Sequence, residues 1–159
     1  METPSGLWFK DYTLEYLGNF RSANMGTHIG FEFTELGPDF IKGRLPVDHR
    51  TTQPFGIFHG GASCVLSETL GSIAAWMTID PDQFRAVGLE INCNHIRAVT
   101  EGFVIGECRP FHVGRRTQVW QTELFEESTN KRVAVSRLTV AIVEHGTLST
   151  QNTAIHIGG

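Results

Sequence analysis

The sequence predicts an α+β domain in which a mostly antiparallel sheet wraps one long central helix. Three observations carry this. Only one segment, about Gly60 to Ile79, is too long for a strand and repeats its apolar residues at helical spacing. Two strand-like runs precede it and a series of four follows it, each bounded by turn residues. The chain has 159 residues, 40% of them apolar, with no internal repeat and no linker rich in Pro, Gly or Ser, which makes a single domain with enough material for a core.

The elements read in order as follows. Residues 1–12 are expected to be loose. Thr13 to Phe20 is expected as a short helix with Leu14 and Leu17 on its apolar side. Ile29 to Leu36 alternates, with Ile29, Phe31 and Phe33 on one face, and Gly37-Pro38-Asp39 turns it into a second run, Phe40 to Val47. In the long helix, Ala62, Val65, Leu66, Thr69, Leu70, Ile73, Ala74 and Met77 form one stripe, and Asp80-Pro81-Asp82 ends it. Ala86 to Val99 alternates through Val87, Leu89, Ile91 and Cys93. Phe103 to Phe111 follows a Glu101-Gly102 turn. Thr117 to Phe125 and Arg132 to Val143 form a hairpin through residues 126–131. The apolar phase changes between Val135 and Leu138, which predicts a bulge there. The domain therefore spans residues 13–144, and the polar stretch 145–159 reads as a fraying tail.

Bulk chemistry excludes several functions. A net charge of −4 is wrong for general nucleic-acid binding, which needs a basic stripe to release counterions, although a local basic patch for a phosphorylated ligand stays open. The longest uncharged apolar run, Thr69 to Ile79, is far short of the roughly 20 residues that span a bilayer. Glu2, Pro4 and Gly6 stand where a secretory signal needs a basic and then an apolar stretch. Cys64, Cys93 and Cys108 lie inside periodic segments with no C-x-x-C pair, and are expected as buried free thiols. A cytoplasmic protein outside the membrane is the expectation. Cys93-Asn94-His95 lacks metal-ligand spacing, so no metal is expected. No G-x-S-x-G, P-loop, G-x-G-x-x-G or H-E-x-x-H motif is present.

The chemistry concentrates in Gln53-Pro54-Phe55-Gly56-Ile57-Phe58-His59-Gly60-Gly61 and the helix it opens. A helix start offers backbone N–H groups to a developing oxyanion. Glu68, held near that start in apolar surroundings, is a candidate nucleophile or base toward a carbonyl. At 100° per residue, Glu68 falls opposite the apolar stripe with Gly61, Cys64, Gly71, Ser72 and Ala75. Small residues on a face that should be solvated predict close approach of something else, most simply a second copy with ligand sites at the seam. Glu68 and Ser72, four apart, point the same way.

Each candidate also has a plainer reading: Glu68 as a surface acid, His59 as a helix cap, Gln53 as a solvated loop amide. Arg97 after His95, and Gly114-Arg115-Arg116 in a turn, read either as solvated charges or as phosphate ligands. Phe58 and Trp120 read as core.

With these residues in hand, the chain resembles the hotdog-fold acyl-CoA thioesterases, in the branch that uses a helix glutamate. That branch includes the 1,4-dihydroxy-2-naphthoyl-CoA, 4-hydroxybenzoyl-CoA and phenylacetate-pathway thioesterases. The likeness runs from about Leu14 to Val143. It is densest in residues 53–63, in Val87-Gly88-Leu89-Glu90-Ile91-Asn92 and in Asn94-His95-Ile96-Arg97. It implies a dimer of the fold, usually paired into a tetramer, acting on a small-molecule acyl-CoA without a cofactor. It further implies Glu68 as nucleophile or general base, Gly60 as the oxyanion N–H, Gln53 and His59 as groups that polarise and seat the thioester, and Ser72 as a helper. CoA contacts are implied at Gly88, at His95, Ile96, Arg97 and Ala98, and at His112, Val113, Gly114, Arg115, Arg116 and Thr117. The activity expected is hydrolysis of an aromatic or medium acyl-CoA. A dehydratase or hydratase on the same fold, and a non-catalytic acyl-CoA binder, are the alternatives.

Overall fold

The computed structural model describes residues 6–19 and 24–146. Two short helices, α1 (Leu14–Gly18) and α2 (Met25–His28), precede the strands β1 (Glu32–Leu36) and β2 (Ile41–Pro46). The long helix α3 (Gly60–Met77) is followed by β3 (Phe84–His95), β4 (Phe103–Val113), β5 (Thr117–Glu126) and β6 (Arg132–Glu144). The strands form one antiparallel sheet in the order β1-β2-β4-β5-β6-β3, and α3 packs on β2 through β6. The chain thus leaves near one edge of the sheet as β2, crosses in α3, and returns at the far edge as β3. Among the described residues, one side of β3 has no partner strand.

Local chemistry explains most boundaries. Thr13 caps α1 through its hydroxyl, and Asn24 caps α2 through its side-chain oxygen, each accepting an N–H at 3.1 Å. α2 was not expected. Ile29 is its C-cap and Gly30 takes φ +79°, so β1 starts at Glu32 instead of Ile29. Phe31 and Phe33 still share a face, meeting edge-on at 4.7 Å. Of the expected apolar pair on α1, Leu17 is buried and Leu14 is exposed; Phe20 lies outside the described residues.

Three readings of facing are corrected. The buried stripe of α3 is Ser63, Leu66, Ser67, Leu70, Gly71, Ala74, Ala75 and Met77, rotated from the expected one toward the small residues. Gly71, placed on the far side by the sequence, lies against Leu138 and Trp120. Small residues sit inward because a sheet packed this closely on a helix excludes larger ones.

In β3, Gly88 pairs with Val140 and Glu90 with Thr139, so Leu89 is a bulged extra residue. Leu89 is therefore exposed, Ala86 and Gly88 face α3 before the bulge, and Ile91 and Cys93 face it after. In β6 no register shift separates Val135 from Leu138. The bulge is at Val133, between the pairs Leu124–Ala134 and Phe125–Arg132. The misleading phase change arises because Ser136 faces inward, where its hydroxyl donates to the Asn92 carbonyl at 2.7 Å.

Residues 7–12, expected to be loose, are docked. Trp8 stacks on Trp120 at 6.2 Å and donates its indole N–H to the Gly37 carbonyl, while the Phe9 N–H reaches the Met77 carbonyl at the end of α3. That contact satisfies one of the carbonyls that a helix terminus leaves unpaired. The polar tail beyond residue 146 lies outside the described residues. Trp120 and Phe58 are core residues, as expected. The Trp120 indole donates to the Gln118 carbonyl oxygen, whose amide in turn donates to Thr78 at 2.8 Å, so the buried polar atoms are satisfied in a chain. The three cysteines are free thiols, but of the three expected to be buried only Cys108 is; Cys64 and Cys93 are partly exposed. Burial pushes Cys93 up to about 11 and Cys108 up to about 12. Among the described residues no group of His, Cys, Asp and Glu could hold a metal ion, and no helix is long and apolar enough to cross a membrane.

Candidate active site

The approach to α3 is a chain of tight turns. The Asp48 carbonyl accepts the N–H groups of Thr51 and Thr52, and the Thr51 hydroxyl donates back to the Pro46 carbonyl. The Arg50 guanidinium beside Asp48 holds that carboxyl down to about 2. Gln53 and Ile57 then close a small loop whose φ +78° at Gly56 requires glycine. Within it the Phe55 N–H donates to the Gln53 side-chain oxygen. The amide NH₂ of Gln53 is therefore the end left to donate.

His59 caps the helix, as its plainer reading held. Its Nδ1 accepts the Gly61 N–H at 2.7 Å, and its carbonyl accepts those of Ala62 and Ser63 at 2.9 and 3.2 Å. Because Nδ1 is an acceptor, a neutral ring carries its proton on Nε2, where it can donate to a ligand. Of the four N–H groups opening α3, Gly60 alone has no acceptor among the described residues. A side chain at Gly60 would stand 3.0 Å from the His95 ring, so the end of β3 and the start of α3 meet only because position 60 is glycine.

A cavity of about 380 Å³ opens at this meeting point. It brings together Gln53, Gly60, His95, Ile96, Arg97 and Ala98 of the expected site, with Ser63 and Val133, which the sequence reading missed. The Ile96 and Arg97 N–H groups both donate to the Val133 carbonyl, which pins this wall. Arg97 is exposed at its rim.

Glu68 is elsewhere. The expectation that it lies beside the tip of its own helix is corrected. Gly60 and Glu68 are eight residues apart on continuous α-helix, which is roughly 12 Å along the axis. Glu68 is half-buried. Ser72 donates to its Oε1 at 3.0 Å, and a Cβ on Gly88 would stand 2.8 Å from the same oxygen. Oε1 is thus held and abutted, which leaves Oε2 free to act. Gly88, implied as a CoA contact, is in this chain the floor beneath the carboxylate.

The segment His112–Thr117 belongs to the Glu68 end. Thr117 pairs with Ala141, whose other neighbour is Val87, whereas His95 pairs with Ala134, seven residues nearer the start of β6. At about 3.3 Å per residue the two implied CoA-binding segments stand roughly 20 Å apart in one chain. The turn is closed by Gly114 N–H to the Thr117 carbonyl, and Arg115 and Arg116 project from it exposed, with no ion pair among the described residues. One chain therefore carries two half-sets: Gln53, His59, Gly60 and His95–Ala98 at one end, and Glu68, Ser72, Gly88 and His112–Thr117 at the other.

Comparison with known proteins agrees with this architecture. Residues 55–133 match the Thioesterase superfamily. The chain is 45% identical to the 1,4-dihydroxy-2-naphthoyl-CoA hydrolase of Escherichia coli K12, over 86% of this chain and 99% of that one. It is 43% identical to the proofreading thioesterase EntH of Cronobacter turicensis, over 86% and 98%. A crystal structure of a thioesterase from Haemophilus influenzae superposes with TM-score 0.83 at 43% identity, covering 87% of this chain and 95% of that one. One from Pseudomonas aeruginosa gives 0.84 at 39% identity, covering 87% and 99%. With its fold, its helix-start signature and relatives this similar over nearly their whole length, the chain belongs to the hotdog thioesterase superfamily and is a thioester hydrolase.

Proposed function

We propose that the protein hydrolyses acyl-CoA thioesters carrying an aromatic or medium acyl group, at a site assembled from two copies of the chain. One observation carries this reading: the donor half-set and the carboxylate half-set lie roughly 12 Å apart along α3, too far for both to meet one thioester carbon. β3 runs alongside α3 between the two half-sets with one unpaired edge. A twofold-related copy joined antiparallel along that edge sets the donor end of one chain against the carboxylate end of the other.

In such a seam the acyl carbonyl oxygen accepts from the free Gly60 N–H and the Gln53 NH₂, at the positive end of α3. Glu68 of the second copy, with Oε1 fixed by Ser72, brings Oε2 to the carbonyl carbon. It serves as nucleophile or as the base that activates water. As base, Glu68 takes a proton from the attacking water; as nucleophile, it forms an acyl anhydride that water then hydrolyses. On either route the C–S bond breaks and the thiolate leaves and takes up a proton. Arg97 from one copy, and Arg115 and Arg116 from the other, are exposed cations without ion partners among the described residues, and they bind the phosphates of CoA in this reading. The name of the Escherichia coli relative, a hydrolase of an aromatic acyl-CoA, supports the acyl class.

The test is free-thiol release over a panel of aromatic and fatty acyl-CoAs. Glu68→Gln should lose roughly 10³-fold or more while still binding substrate, and Gln53→Ala should lose about 10²–10³-fold. Mixing these two inactive variants under subunit exchange should restore about a quarter of wild-type activity, because half the dimers are mixed and each has one intact site. Equal single-turnover rates for Glu68→Gln and wild type would reject the role of Glu68. A product with the thioester intact and a new double bond, or saturable binding without thiol release, would reject hydrolysis.

A further inference from the structure

Ser63 has no part in the chemistry above, yet it is fully buried and its hydroxyl has no hydrogen-bond partner among the described residues. A serine inside a helix ordinarily returns its hydroxyl to the carbonyl four residues back. Here that carbonyl belongs to His59, and it already accepts the N–H groups of Ala62 and Ser63. The usual outlet is closed.

The Cα–Cβ bond of a helical residue tilts toward the helix N-terminus, so the Ser63 hydroxyl leans over the first turn. Three residues earlier on the same face is Gly60, the position with the free N–H and no side chain to cover that hydroxyl. Both residues border the same cavity.

Resting on the reading of function above, we propose that the Ser63 hydroxyl is a second oxyanion donor, hydrogen-bonding the thioester carbonyl oxygen beside the Gly60 N–H. The ligand supplies the acceptor that the Ser63 hydroxyl lacks among the described residues. The bond strengthens as the oxygen gains charge in the transition state, so its effect falls on kcat more than on KM.

Ser67 supplies a matched control. It is the next turn of the same face, 1% exposed, equally unpartnered, and does not border this cavity. The experiment measures Ser63→Ala and Ser67→Ala in the full chain against two non-hydrolysable acyl-CoA analogues. In one, a methylene replaces the thioester sulfur and the carbonyl is kept; in the other, a thioether, a methylene replaces the carbonyl.

Ser63→Ala should weaken the ketone analogue about 10-fold, leave the thioether unchanged, lower kcat on the order of 10²-fold, and leave the thermal midpoint unchanged or raised. Ser67→Ala should leave both affinities and kcat at wild-type values. Ser63→Cys, which keeps the volume with a far weaker donor, should show the same selective loss and guards against a folding defect in the alanine variant. Wild-type ketone binding and kcat in both Ser63 variants would overturn the assignment. So would equal loss of both analogues with a lowered midpoint. If Glu68→Gln is inactive while Ser63→Ala is not, the Ser63 assignment fails alone; if the wild type releases no thiol, the reading of function fails first.

Discussion

Gly88→Ala tests the placement of the carboxylate without touching the carboxylate. A methyl group at position 88 would stand 2.8 Å from Glu68 Oε1, where ordinary contact begins at 3.4 Å. The oxygen must retreat by about 0.6 Å, and its 3.0 Å bond from Ser72 is strained or lost with it. The fold tolerates this readily, because the obstructing atom ends a flexible side chain and Gly88 lies one residue before a bulge in an edge strand. Catalysis does not, because a misplacement near 1 Å costs about 10²-fold. The expected result is a fall in kcat on the order of 10-fold or more, with the thermal midpoint close to wild type. Thiol release at saturating acyl-CoA and a melting curve on the same preparation measure both. A kcat equal to wild type would refute the idea that the Glu68 position, held between Gly88 and Ser72, sets the rate.

Two further outcomes are expected. Gly71→Ala sets a methyl 2.7 Å from Leu138 Cδ2 and 3.4 Å from Trp120 Cβ. The overpacking, about 1–3 kcal/mol, is partly offset by the roughly 1 kcal/mol advantage of alanine over glycine in a helix. The urea midpoint should therefore fall while kcat per folded molecule stays unchanged. Asp48 is held at about 2 by Arg50, below the roughly 3.9 of an unfolded aspartate. A depressed folded pKa stabilises fully above the unfolded value and is lost as pH falls through the folded one. The thermal midpoint of Asp48→Asn should thus lie below wild type at pH 5 and converge with it between about pH 4 and pH 2.

Much of the fold was legible because its signals are local. Gly37-Pro38-Asp39, Glu101-Gly102 and residues 126–131 mark turns by their own backbone preferences, and every long strand lies within a few residues of its expected place. α2 was invisible because four residues carry no periodicity. The facing errors in the strands share one cause: a bulge or an inward serine shifts the phase of a strand, and only register against a neighbour reveals it. Leu89 and Val133 are bulged by pairing with β6 and β5, and nothing in their own side chains announces it.

For the site, the residue types and the helix start were written in the chain: a His-Gly-Gly turn, an acid and a serine four apart, a glutamine upstream. The sequence alone determined that a histidine-capped, glycine-rich helix start and a carboxylate are present on one helix, because capping and helical rise are properties of neighbouring residues. Tertiary structure alone decided that the tip faces His95 while the carboxylate rests on Gly88 at the other end of the same strand. It also decided that the Ser63 hydroxyl, beside that tip, has no partner among the described residues. Those facts depend on which distant segments the fold brings together, and no stretch of sequence records its own neighbours in space.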